Sequence, residues 1–204
     1  MTQLSMAREG TITDEMRTVA KAEGYTPEEI RDSVATGRVV IPKNINHDFP
    51  ARGIGKGLTT KTNANIGTSM DHIDLEEELD KLKMAVLSGA DSVMDLSTGG
   101  DLRKIRKAVL DDACLMVGAV PLYLVAAALS ARGKELTNMT SDMLFDSIEE
   151  QCEQGVDYIT VHCGVTQRSF GMIKESGRIA RCRQPRQYPH GCMDARKQEG
   201  KPVV

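Results

Sequence analysis

The 204-residue sequence has no CxxC pair, no surplus of positive charge and no apolar run long enough to cross a bilayer. Its five cysteines, at positions 114, 152, 163, 182 and 192, are odd in number and lie ten or more residues apart. That spacing argues against a disulfide framework and against a zinc ribbon, and leaves reduced, mostly buried thiols as the expectation. With 26 Lys and Arg against 29 Asp and Glu, the formal net charge is −3, so nothing in the balance points to nucleic acid. The longest apolar stretch, from residue 115 to 129, falls short of the roughly 20 residues of a membrane helix and reads as a buried strand running into a helix. Arg8 and Glu9 stand before any apolar run, without a signal-peptide core or cleavage site, so a cytoplasmic location and no membrane partner are expected. What is present, 40% hydrophobic and 27% charged residues, is the composition of a globular domain with a buried core.

Residues 1 to 57 are polar and helix-prone. Thr13 is placed to cap a helix from Asp14 to Lys21, and Thr26, with Pro27 at the first helical position, opens another that runs to about Thr36. A short β-like run, Arg38 to Pro42, precedes a stretch punctuated by Pro and Gly, Asn44 to Gly57, that reads as a loop. From Leu58 onward, short β-branched runs alternate with helical patterns. Strands are expected at 60 to 66, 91 to 96, 115 to 120 and 157 to 163, each nearly all apolar at its centre, as parallel strands buried on both faces require.

The helices between them carry their own signals. Leu75, Leu79, Leu82 and Val86 recur at helical spacing between Asp74 as N-cap and Gly89 as stop. Asp101 caps a second pattern with Leu102, Ile105 and Val109 inward; Ser141 caps a third with Leu144, Ile148 and Cys152 inward. A further helix is expected from Thr166 to Glu175. Such alternation gives βαβ units around a parallel sheet, either a doubly wound sheet or part of a (β/α)8 barrel.

In both architectures a ligand meets the carboxyl ends of the strands, so those ends hold the candidate chemistry. The first strand ends in Asn63-Ala-Asn65-Ile-Gly67-Thr68-Ser69, whose carboxamides, hydroxyls and glycine-exposed backbone suit either a phosphate and heterocycle edge or simply a turn. The second, Met94-Asp95-Leu-Ser97-Thr98-Gly99-Gly100-Asp101, runs a hydroxyl- and glycine-rich turn into a helix N-terminus, an arrangement that receives anions. Asp95 is expected to point into a barrel or sheet, as a catalytic group or as half of an ion pair. The third strand puts the Tyr123 hydroxyl at the start of a helix, and the fourth places His162 at a strand end among these polar termini. Gly53-Ile-Gly55-Lys56-Gly57 precedes a strand, which rules out a Rossmann fingerprint or a P-loop; it is expected to be a flexible connection holding Lys56 near an anion.

These strand ends, in this order, resemble the phosphomethylpyrimidine synthase (ThiC) family. The strings that carry the resemblance are Gln3 to Met16 (QLSMAREGTITDEM), Gly55-Lys-Gly-Leu58, Lys61 to Ser69 (KTNANIGTS), Gly89 to Gly100 (GADSVMDLSTGG), Gly118 to Tyr123 (GAVPLY) and Gly155 to Val165 (GVDYITVHCGV). The resemblance implies a thiamine-pathway lyase, a (β/α)8 barrel that converts aminoimidazole ribotide to hydroxymethylpyrimidine phosphate by radical S-adenosylmethionine chemistry. A homodimer, a [4Fe–4S] cluster held by a CxxCxxxxC motif, and zinc are implied with it. Substrate contacts fall by motif position on Asn65, Met94, Tyr123 and His162. Related 5-hydroxybenzimidazole synthases, or a non-catalytic ribotide-binding fragment, fit the same strand ends.

Two departures accompany the resemblance. The cysteine triad and the histidines of the metal site are absent from the sequence, so no residue of this chain is assigned to catalysis or to a metal. After Ala180, where the family continues into a fifth strand, the chain reads Arg181-Cys-Arg-Gln-Pro-Arg-Gln-Tyr-Pro-His190. Reading the codons one base later permits V-S-R-G-S-I and A-A-W-M-H-A-N-K, so residues 181 to 204 are expected to be a frameshifted, disordered tail. The expected organisation is therefore a helical region with linker over 1–57, the first four βα units of a barrel over 58–180, and the tail.

Overall fold

The computed structural model describes residues 1–164 and 166–175; the expectation for 181–204, with Cys182, His190 and Cys192, lies outside the described residues. The described chain divides into two compact units, one of residues 1–119 with 151–159, the other of 120–150 with the residues from 160 onward.

The first unit opens with three capped helices: α1 (Gln3–Arg8), α2 (Asp14–Glu23) and α3 (Pro27–Ala35). Thr13 Oγ1 accepts the Met16 N–H at 3.2 Å. Thr26 and Glu29 form a reciprocal capping box, each side chain accepting the other's backbone N–H, so the orphan donors of each first turn are satisfied locally. Met16, Val19, Ala20, Ile30 and Val34 face inward and pack with Ala7, Val39, Ile41 and Ala51 as one apolar cluster. The stretch read as a loop contains a strand: β1 (Val39–Val40) pairs antiparallel with β2 (Ile54–Gly55). The glycine-spaced run is thus a strand held by pairing, not a flexible connection. The apolar periodicity there is too short to register as a strand in sequence.

The rest of this unit is an α/β layer. Strands β3 (Asn63–Ile66), β4 (Ser92–Asp95), β5 (Met116–Ala119) and β6 (Tyr158–Ile159) form one parallel sheet in that order. Helices α4 (Leu75–Leu87) and α5 (Leu102–Asp112) connect β3 to β4 and β4 to β5. Asp74 caps α4 and Asp101 caps α5, accepting the N–H groups of Glu77 and Lys104. Paired residues in a parallel sheet share a face and neighbours along a strand alternate. Ile66, Val93, Val117 and Ala119 accordingly meet Leu82, Val109 and Leu110 in a second apolar cluster. All four strands are shorter than expected, β6 most of all: residues 160–163 are not strand, so His162 stands three residues beyond its strand rather than on it.

In the second unit, α6 (Pro121–Ala131) starts with proline at its first position, a 3-10 turn covers Leu136–Asn138, and α7 (Ser141–Gln154) begins, its residues from Gln151 on belonging to the first unit. The cap of α7 is Thr140 instead of Ser141, since Thr140 Oγ1 accepts the Met143 N–H at 3.3 Å. Its fully buried positions are Ser147 and Gln151, while Cys152 is exposed. Ser147 Oγ donates to the Pro121 carbonyl at 3.1 Å, 26 residues away in the chain, a bond that an apolar-spacing argument does not register. Helix α8 (Gln167–Glu175) has Thr166 as its cap, with Ser169 N–H donating to Thr166 Oγ1 at 3.1 Å. Cys114, Cys152 and Cys163 are all free and exposed, against the expectation of burial. Among the described residues no helix is long and apolar enough to cross a membrane.

One carboxylate ties the amino ends of β5 and β6 to the loop after β1. Asp157 Oδ2 accepts the Val117 N–H at 2.8 Å and contacts His47 Nδ1 at 2.7 Å, while Oδ1 accepts the Asn44 N–H at 2.8 Å. His47 Nε2 lies 3.1 Å from the Ala113 carbonyl oxygen. Both ring nitrogens thus face acceptors, which favours the imidazolium. Burial pushes the His47 pKa down, but the hydrogen bond and charge of Asp157 and the Ala113 carbonyl outweigh it, and the net direction is up. A raised folded-state pKa contributes stability that is full below the unfolded value near 6.5 and is lost as pH rises through the folded value. Urea unfolding followed by circular dichroism should therefore give falling stability from about pH 6 upward. His47→Gln should remove that slope and cost about 3–5 kcal/mol, since it leaves the buried Asp157 charge without its partner. An unchanged slope in the variant would assign the pH dependence elsewhere.

Candidate functional site

Alternation along the sheet gives its second face a row of polar side chains. Asn63 pairs with Ser92, Ser92 with Met116, and Asn65 with Met94; Met94 in turn pairs with Gly118, and Gly118 with Tyr158. Asn63 and Asn65 are exposed, Met94 and Tyr158 half-buried, Ser92 buried. Asn65 and Met94 are therefore side by side, at adjacent strand ends and on one face. Asn65 Oδ1 accepts from Asn63 Nδ2 at 2.9 Å. Asn63 Oδ1 in turn accepts from Ser92 Oγ at 2.9 Å and from the Tyr158 hydroxyl at 2.8 Å.

Beyond these ends the two loops after β3 and β4 are fastened to each other. Thr68 N–H donates to Ser97 Oγ at 3.1 Å, Thr68 Oγ1 donates to the Gly99 carbonyl at 2.6 Å, and Thr98 N–H donates to the Thr68 carbonyl at 2.9 Å. Gly67 has φ of +144°, and a Cβ there would collide with the backbone of Leu96 and Ser97, so only glycine lets the loops approach this closely. The buried hydroxyls of Thr68 and Ser97 are consumed in building the turn. Of the two readings open in sequence, the structural one holds for these two residues.

Three charged groups sit on the helix-facing side. Glu78 of α4, 1% exposed, accepts the Gly67 N–H at 2.7 Å through Oε2, and Lys81 Nζ at 2.9 Å through Oε1. Asp95 shares the face of Val93 and Ile66, so it points toward the helices and not toward the polar face. This corrects its candidacy at the site. Its Oδ1 accepts the Ser97 N–H at 2.9 Å; burial drives its pKa up, opposed by the Ser97 bonds and by the charge of Arg106. Arg106 of α5, 3% exposed, donates from Nε to Gln154 Oε1 at 2.6 Å. These groups set the shape of the strand-end loops from behind. The apolar spacing of α4 concealed Glu78, which shares the stripe of Leu75 and Leu82.

In the second unit, Tyr123 occupies the first turn of α6, half-buried, and His162 is exposed after β6. Their rings lie 6.2 Å apart between centroids at 39°, within the range of a tilted aromatic pair. The four sequence-derived residues thus form two neighbouring pairs, Asn65 with Met94 and Tyr123 with His162, one in each unit. Sequence reasoning included Asn63 among the strand-end carboxamides but missed Tyr158. The signal that could have found Tyr158 is Gly118, a side-chain-free position on the neighbouring strand.

Among the described residues no group of three or more His, Cys, Asp or Glu could hold a metal ion. Cys114, Cys152 and Cys163 stand free and apart, so these residues do not fit an iron–sulfur cluster or a zinc centre, and no chemical step is assigned through either. What the arrangement offers is recognition: a carboxamide and a thioether in one place, an aromatic and an imidazole in another.

Comparison with known proteins gives a family. Residues 2–183 match the Radical SAM ThiC family. Phosphomethylpyrimidine synthase of Thermodesulfovibrio yellowstonii is 50% identical over 179 residues, covering 88% of this chain and 42% of the relative. Its counterpart in Thermus thermophilus is 52% identical over 182 residues (87% and 41%), and that of Syntrophus aciditrophicus 51% over 181 (88% and 42%). The chain spans about two fifths of the length of these relatives.

The fastening of the two loops has a measurable strength. Thr68→Val keeps the shape and deletes the donor to the buried Gly99 carbonyl, which should lower unfolding stability in urea by about 1–3 kcal/mol, the cost of stranding a buried acceptor. A loss under about 0.5 kcal/mol would mean that the hydroxyl does not hold the loops together.

Proposed function

The chain belongs to the Radical SAM ThiC family, and from that premise we propose that it supplies the ribotide-holding part of a phosphomethylpyrimidine synthase, the lyase that forms hydroxymethylpyrimidine phosphate for thiamine. The observation that carries this reading is the row Asn65–Met94: two strand ends of one parallel sheet, in register, that present a carboxamide donor and a soft apolar surface on the same face. Asn65 hydrogen-bonds the ribotide and Met94 packs against it; in the second unit, Tyr123 offers an aromatic face and His162 a ring nitrogen for ligand recognition.

In this proposal the parallel sheet over 58–180 is the first part of a (β/α)8 barrel, preceded by the helical region and linker of 1–57; residues 181–204 play no part in binding. The complete enzyme works in the cytoplasm as a homodimer, uses S-adenosylmethionine, and carries its [4Fe–4S] cluster and zinc on residues other than those described in this chain. Bound S-adenosylmethionine and the cluster supply the radical; the residues of this chain bind the ribotide and orient it. No nucleic acid or membrane enters the function.

Isothermal titration of the 204-residue chain with aminoimidazole ribotide tests the reading. Saturable one-site binding is expected, weakened about tenfold or more by Asn65→Ala, which loses one hydrogen bond to the ligand, and weakened also by Met94→Ala, which loses an apolar contact. Absence of binding, or equal affinity in all variants, would refute it. Reconstituted with iron and sulfide, the same chain should release no 5′-deoxyadenosine from S-adenosylmethionine, because three thiolates on one motif are needed to leave an open iron; release would show a cluster built some other way.

A further inference from the structure

Tyr158 lies across the polar face of the sheet in a way that only its neighbour permits. Gly118 is its partner in register, and a Cβ on Gly118 would collide with the Tyr158 ring. With no side chain there, the ring passes over β5, and its hydroxyl reaches 2.8 Å from Asn63 Oδ1 on β3 and 3.3 Å from the Val93 carbonyl on β4. Ser92 Oγ donates to the same Asn63 oxygen at 2.9 Å. Burial raises the Tyr158 pKa, so the hydroxyl keeps its proton and donates near neutral pH. An oxygen that accepts two hydroxyl protons turns the Asn63 amide nitrogen the other way, toward Asn65 Oδ1 at 2.9 Å. One lone pair of the Asn65 oxygen is thereby engaged and its carboxamide orientation set, with the oxygen toward Asn63 and the Nδ2 donor turned outward.

We propose that Tyr158 is a positioning residue: acting through Asn63, it fixes the Asn65 carboxamide with its N–H groups outward, so that the ligand group meeting Asn65 is a hydrogen-bond acceptor. The second half of this statement rests on the ribotide reading above; the first does not. Tyr158 touches no ligand in this scheme. Its effect is carried by two carboxamides in series, and a change that deletes only the phenolic oxygen removes it.

Tyr158→Phe is examined in the full 204-residue chain beside wild type, with Ser92→Ala as a second variant that removes the other donor to the same oxygen. In 1H–15N spectra, the side-chain amide pairs of Asn63 and Asn65 should shift and broaden in both variants, while resonances of the α1 to α3 cluster stay in place. Affinity for imidazole ribonucleoside 5′-monophosphate should fall about threefold to tenfold in Tyr158→Phe, since binding must then immobilise a freed side chain. In an Asn65→Ala background the same change should have no further effect, because its route is gone. Unchanged Asn63 and Asn65 amide signals, or losses from the two substitutions that add, would overturn the proposal. If the wild-type chain does not bind the ribotide, the functional reading falls; the amide signals then decide the relay alone, unchanged signals against it and shifted signals for it.

Discussion

The register of the four parallel strands is the constraint on which everything else in the first unit depends. Pairing Asn65 with Met94, Met94 with Gly118 and Gly118 with Tyr158 puts these residues on one face. Ile66, Val93, Val117 and Ala119 fall on the other, against α4 and α5. The side-chain period of a strand is two residues, so a slip of one position would exchange the faces wholesale, sending the carboxamides into the apolar cluster and the valines into water. The burial of Val93 and Val117 and the exposure of Asn63 and Asn65 therefore enforce the same alignment. Stability of the core and placement of the polar row are two consequences of one arrangement.

Ionic and polar groups buried behind the sheet sharpen that arrangement at the loops. A carboxylate out of water is costly unless its lone pairs are met. Glu78 meets this by accepting a backbone N–H from Gly67 and an ammonium from Lys81; for Asp95 the bonds from Ser97 and the charge of Arg106 offset part of it, and burial keeps its pKa raised. In each case the donor belongs to a strand-end loop or to a helix flanking it, so satisfying the carboxylate and fixing the loop are the same event. The interlock of Thr68, Ser97 and Gly99 then leaves little freedom in the two turns nearest Asn65 and Met94. A ligand arriving there meets a surface whose shape is already decided.

The sequence displayed the parts that follow from local chemistry. Caps at Thr13, Thr26, Asp74 and Asp101, the apolar stripes of α4 and α5, and the four parallel strands were all legible, because each depends on residues within a few positions of one another. Features that needed a distant partner were hidden. Strand β2 emerges only when Ile54 finds Val40; Glu78 is buried only because the Gly67 N–H comes to it; Asp95 was left open as a catalytic group or half of an ion pair, and its parity with Val93 assigns it to the helices. Cys152 followed an apolar spacing and yet is exposed, while Ser147, one turn earlier, is buried by a hydrogen bond to Pro121. The family resemblance named Asn65, Met94, Tyr123 and His162, but not the support beneath Asn65, since its carboxamide's orientation is set by Asn63 on its own strand and, through it, by side chains from two other strands.

Strand β6 shows how few residues such support needs. It is two residues long, far too short to hold its register by ladder hydrogen bonds alone. Two side-chain features fix it instead. Just ahead of it, Asp157 accepts the Val117 N–H and binds His47, while its own N–H donates to the Val117 carbonyl, fastening the chain at one height on β5. One position later, Tyr158 settles into the gap over Gly118, the place on β5 where no side chain would collide with its ring. Adjacent residues point to opposite faces, so the acid is turned to the stabilising loop and the phenol to the polar row. Moving either by one position would strand a buried carboxylate and drive an aromatic ring into the Ala119 or Val117 side of the sheet. The same two residues that hold the edge strand in place also aim the hydroxyl at Asn63, and this makes the orientation of Asn65 a property of the fold rather than of the ligand.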